Sequence, residues 1–172
     1  MEFLNTIKNE IPDWAKDIRL NIDGAIARSS LSEADAIGVA LAAAYAAKST
    51  FLIEQFKSGL SEEDVNGVLV AAALMGMNNT YYPYLEMAGD EQLRTLPARL
   101  RMNAYASHGG IAKARFEIFG LAASIVGKCH FCVKAHYDNA KKEGLTQEQL
   151  QDVGRIASVV NAAALVLASQ GK

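Results

Sequence analysis

Part of this chain occurs twice. Leu41 to Phe56 aligns without a gap to Leu121 to His136, with Leu41, Ala42, Ala43, Lys48 and Phe51 matched by Leu121, Ala122, Ala123, Lys128 and Phe131. After five extra residues in the second copy, Leu60-Ser61-Glu62-Glu63 matches Leu145-Thr146-Gln147-Glu148. Each copy reads as helix, helix, capped helix, over about residues 32–79 and 112–168. Ser32 caps a helix that runs to Ala47, with Glu33 and Asp35 in its first turn. A second helix covers Ser49 to Lys57, and Ser61 caps a third that runs to Met77, where Asn78-Asn79 and Tyr82-Pro83 break the pattern. In the second copy the helices are Ile111 to Val126, ended by Gly127; Cys129 to Lys142; and, after the Thr146 cap, a last one to Ala168. Ahead of the copies, residues 13–22 carry Trp14, Ile18 and Ile22 at helical spacing. Between them, residues 78–110 hold turns at Ala88-Gly89-Asp90 and Ser107-His108-Gly109-Gly110 and a short helix at Glu91 to Leu96. No stretch alternates with the period of a strand. The expectation is an all-α fold, built from two related helical repeats in a single domain of 172 residues.

The copies differ where chemistry resides. Cys129, Cys132 and His136 stand where the first copy has Ser49, Leu52 and Phe56, and Glu117 stands where it has Ile37. The scaffold does without these four groups in one copy and gains them together in the other. On a helix, Cys129, Cys132 and His136 share one face, because steps of three and four return to it. A thiolate is the reactive form of cysteine, and a helix N-terminus and a neighbouring histidine both favour it. Cys132, one turn before His136, is the candidate for activation. Cys129, nearer the helix end, reads as the more accessible sulfur. Glu117 is placed to orient His136 or relay its protons if its helix packs against theirs. Residues three apart on a helix lie roughly 5–5.5 Å apart at Cα, within the reach of a disulfide. A peroxide-oxidised Cys132 captured by Cys129 is then a feasible cycle, reset by an external dithiol.

Composition narrows the alternatives. The net charge is −2, with no basic stripe, so nucleic acid is not an expected partner. The N-terminus shows no secretory pattern. The runs Ala36 to Ala47 and Gly67 to Met77 are too short to span a bilayer. The expectation is a soluble, cytoplasmic protein with no membrane partner. Both cysteines of the chain lie in one Cys-x-x-Cys, which favours redox or metal chemistry over a structural staple. Zinc is the rival reading: Cys129, Cys132 and His136 supply three ligands, with His130, His108 or Glu117 as a fourth. The usual second ligand pair on a separate segment is missing, so no metal site is assigned. Further alternatives are a general dithiol-disulfide oxidoreductase and a pair of inert core cysteines. His130 points off the Cys129 face and reads as a neighbour of the site. His108 reads as a turn residue, the Met75 and Met77 pair as core, and Tyr81, Tyr82 and Tyr84 as packing or an oligomer contact.

At Glu117, Cys129, Cys132 and His136 the sequence resembles the alkyl hydroperoxidase D family. The stretches Asp13 to Asn21, Met75 to Asn79 and Leu100 to Asn103 are also similar. The resemblance implies an AhpD-like helical antioxidant enzyme, usually a trimer, that reduces alkyl hydroperoxides with no tightly bound cofactor. It implies recharging by lipoyl dithiols on a 2-oxoacid dehydrogenase component, and pairing with the peroxiredoxin alkyl hydroperoxide reductase C. Carried over, Cys132 matches the peroxidatic cysteine and Cys129 the proton-donating, resolving cysteine that meets the partner; the two form the Cys129–Cys132 disulfide. His136 and Glu117 match the proton relay. Some members carry a second histidine just before the second cysteine, where this chain has Phe131, with His130 one position earlier. The wider carboxymuconolactone decarboxylase fold group also holds decarboxylases without the cysteine pair, and the intact pair here argues against that activity.

Overall fold

Helices with small residues at their contacts bury by close approach, and two of them form the centre of this molecule. The computed structural model describes residues 1–172 as ten α-helices with no strand. They are α1 (Phe3–Asn9), α2 (Lys16–Ile22), α3 (Glu33–Ala46), α4 (Thr50–Lys57), α5 (Glu62–Ala88), α6 (Glu91–Thr95), α7 (Ala104–Ser107), α8 (Lys113–Gly127), α9 (His130–Lys142) and α10 (Gln147–Ala168). Every residue from Ala36 to Ala44 in α3 and from Phe116 to Ser124 in α8 is buried. The two helices pack on each other and on α5 and α10, while α9 lies against α8. A Cβ at Gly38 would come within 2.5 Å of the Phe119 ring, so the α3–α8 contact depends on that glycine. Helix α10 is long and apolar enough to cross a bilayer by length and composition, which the shorter runs noted above are not. Its most apolar window is 56% buried within the fold, as a core helix requires.

The first and second segments share local geometry. Lys48 and Lys128 both take the left-handed conformation, at φ 59° and 55°. Ser49 then caps α4 and Cys129 caps α9, each side chain accepting from the N–H three residues on. Thus α8 ends through left-handed Lys128 and not through Gly127, which is its last helical residue. The capping box at Thr146 and Gln149 starts α10.

Two further sequence expectations change. Helix α5 does not stop at Met77 but continues through Pro83 to Ala88. The two asparagines there are held by tertiary bonds: Asn79 Nδ2 donates to the Ala123 carbonyl at 3.1 Å and Asn78 Nδ2 to the Tyr105 hydroxyl at 3.2 Å. Residues 13–22 divide into a 3-10 turn (Asp13–Ala15) and α2, followed by a π turn (Asp23–Ala27). The tighter turn takes Trp14 off the buried face, leaving it 71% exposed while Ile22 is buried. Helix α1 was not anticipated; it buries Leu4 and Ile7 and sets Phe3 edge-on against Phe56.

One ion-pair cluster ties three helix starts together. Arg115, near the start of α8, donates from Nε to Asp35 at 2.6 Å and from Nη1 to Asp64. The Arg115 hydrogen bond holds the Asp64 carboxyl below the usual carboxylate value, with burial opposing. A carboxyl depressed on folding stabilises above its unfolded value, and that stabilisation is lost as pH falls through the folded value. Arg115→Met is expected to cost about 2 kcal/mol at neutral pH. It should also flatten the further loss of stability as the medium is taken below about pH 4. Urea midpoints across the acid range check both.

Candidate active site

The site forms where α8 hands over to α9. Left-handed Lys128 reverses the chain, so Cys129 becomes the N-cap of α9 and Cys132 falls in its first turn. The two sulfurs are joined as a disulfide, with the Cα atoms 5.3 Å apart. The Cys132 N–H also donates to Cys129 Sγ at 3.2 Å. One turn on, His136 faces back into the protein, and Glu117 meets it from α8. Nδ1 lies 2.7 Å from Glu117 Oε2, and both side chains are almost fully buried. The second carboxylate oxygen accepts from Asn139 Nδ2 at 3.4 Å. The far side of the imidazole is filled by Met75 of α5, whose Sδ is 3.0 Å from Nε2. The Tyr105 ring stacks on the imidazole at 6.1 Å between centroids. Burial pushes the Tyr105 phenol up; the hydrogen bond from Asn78 opposes this and the Glu117 charge adds to it. Tyr105 is therefore uncharged at neutral pH. Gly120 leaves the ring its space, for a Cβ there would sit 2.8 Å from His136 Cε1.

The structure thus brings Cys129, Cys132, His136 and Glu117 to one buried place. Neither sulfur is at the surface: Cys129 is 0% and Cys132 2% exposed. The expectation that Cys129 is the more accessible sulfur is therefore wrong for the disulfide form. A cap residue whose Sγ accepts a backbone N–H turns inward over the helix end. His130 points outward, with Nδ1 3.3 Å from Glu86 Oε1 on α5. His108 is left-handed and lies against Phe116, 5.4 Å between ring centroids.

Relatives of known family match nearly the whole chain. The carboxymuconolactone decarboxylase family model matches residues 91–169. The alkyl hydroperoxide reductase AhpD of Hyphomonas neptunium is 44% identical over 171 residues, covering 97% of this chain and 94% of that protein. The chain belongs to the AhpD family. The AhpD of Rhodospirillum centenum is 38% identical over 95% of this chain and 90% of its own, and that of Maricaulis maris 37% over 97% and 98%. Phe131 directly precedes Cys132 on α9. Its ring is 58% exposed and lies 4.5 Å from that of Tyr82.

Sequence reasoning missed Met75, Tyr105, Asn139 and Gly120. Asn139 was legible, since it follows His136 by three on the same helix face. Met75 passed as core, and it is core. Comparing the two copies could not expose it, because the imidazole pocket is completed by α5, from the first segment, against α8 and α9 of the second.

Proposed function

We propose that this chain is a thiol peroxidase that reduces alkyl hydroperoxides through a Cys129/Cys132 dithiol–disulfide cycle. The observation that carries it is a buried disulfide directly followed on its helix by a histidine paired with a buried carboxylate, in a chain whose relatives are named alkyl hydroperoxide reductases. The Cys132 thiolate attacks the terminal peroxide oxygen. An S–O bond forms, the O–O bond breaks, and the alkoxide leaves with a proton from the His136–Glu117 relay. Cys129 then attacks the Cys132 sulfenic acid; the S–S bond forms, and hydroxide departs as water with the Cys129 proton. A lipoyl dithiol reopens the disulfide by attack at Cys129, with Cys132 as the leaving sulfur. Because both sulfurs are buried, the first turn of α9 has to yield for that attack. The lipoylated 2-oxoacid dehydrogenase component would carry the dithiol, and a peroxiredoxin-type alkyl hydroperoxide reductase C would be served by the same cycle. Exposed Trp14 and Leu165 supply apolar surface for a homo-oligomer, a trimer by the family resemblance. The compartment for this cycle is the cytoplasm, where dithiols are kept reduced.

Turnover with an alkyl hydroperoxide and dihydrolipoamide tests the reading, with the sulfenic acid trapped by a dione probe. Cys129→Ser is expected to accumulate label on Cys132. Peroxide consumption that survives Cys132→Ser but not Cys129→Ser reverses the assignment. Turnover of protein disulfides and never of peroxides makes the chain a general dithiol-disulfide oxidoreductase. Stoichiometric zinc with unfolding on chelation makes it a zinc-binding helical module.

A further inference from the structure

His136 has a partner at each nitrogen, and the two partners constrain it differently. Glu117 at Nδ1 either accepts or donates, according to where the shared proton lies. Met75 at Nε2 has lone pairs and no hydrogen to give, so only a protonated Nε2 can hydrogen-bond to it. Charge points the same way. The pair is almost fully buried. With one proton between them, Glu117 and His136 would carry a net negative charge in a pocket of Met75, Tyr105 and Gly120. With two they are neutral overall, which burial favours. The other titratable groups facing the ring do not alter this count: Tyr105 is uncharged, and the disulfide sulfurs carry no proton.

We propose that Met75 is a positioning residue that keeps Nε2 of His136 protonated in the disulfide state, and so holds ready the proton that the alkoxide takes. This rests on the peroxidase reading above. A thioether is a weak acceptor, and a charged oxygen displaces it readily. When the O–O bond breaks, its electron pair leaves on the alkoxide, which takes the Nε2 proton and departs as the alcohol. Once the disulfide has formed, the pair regains one proton from water. The balancing proton is released when the reductant thiol ionises to attack Cys129.

Nitrogen NMR of histidine-labelled, oxidised protein at neutral pH tests this without peroxide, so it fails or succeeds independently of the turnover assay. The expected result is a protonated Nε2 in the wild type. In Met75→Leu, of similar volume but without the lone pair, the ratio of Nε2-protonated to Nε2-unprotonated His136 should fall about fivefold, the weight of one net hydrogen bond. A lone-pair Nε2 in the wild type overturns the proposal, as does an unchanged population in a folded Met75→Leu. Should that variant not fold, selenomethionine-labelled wild type decides: coupling between the Nε2 proton and the selenium of residue 75 supports the proposal, and its absence overturns it.

Discussion

His136→Phe alone is expected to cost about 3–5 kcal/mol of stability, because it leaves the Glu117 carboxylate buried with only the long bond from Asn139. Glu117→Ile alone should cost less, about 1–3 kcal/mol, since the group left unpaired is an imidazole that can stay neutral. Made together, the two changes are expected to recover most of the loss. They install the pair that the first segment already carries at the aligned positions, Ile37 and Phe56, each 1% exposed. Replacing a buried ion pair by apolar groups is often neutral or stabilising, whereas breaking one partner is not. Activity should not follow stability. All three variants are expected to fall by about a hundredfold or more in peroxide turnover, the usual weight of a positioned acid–base group. Denaturant midpoints read with turnover rates separate the two effects. A double variant no more stable than His136→Phe would mean that the pair's surroundings, and not its charge, set the cost.

How far the sequence reached follows from where the information lies. Helix caps are local, so Ser32, Ser61 and Thr146 were readable and begin helices as expected. The pairing of Cys129, Cys132 and His136 is also local, set by one helical turn. Glu117 was found by comparing copies, and its contact with His136 is a consequence of α8 packing on α9. What failed depended on distant partners. Pro83 looked like a helix end because a proline removes one backbone bond. The tertiary bonds from Asn78 and Asn79 lie outside any local rule. Burial of Cys129 was misjudged for a related reason. Nearness to a helix end suggests exposure, but here that end is packed inside the fold.

The glycines offer a second separation of scaffold from chemistry. Gly154→Ala in α10 is expected to raise stability by about 0.5–1 kcal/mol, since a Cβ there meets nothing within 4 Å and glycine in a helix interior is costly. Gly120→Ala is expected to do the reverse, although it is the same substitution in another buried helix. Its Cβ would lie 2.8 Å from Cε1 and 3.0 Å from each ring nitrogen of His136. The ring has nowhere to go at low cost, with Glu117 at one nitrogen, Met75 at the other and Tyr105 stacked against it. Overpacking of this kind costs about 1–3 kcal/mol. The larger effect should be on rate: displacing a positioned acid–base group by about 1 Å can cost a hundredfold. Peroxide turnover in Gly120→Ala is thus expected to drop by about that factor, with its thiols still forming the disulfide under an added oxidant. Gly120→Ala with wild-type turnover would show that the imidazole can shift without penalty. The His136–Glu117 geometry would then not be what limits the rate.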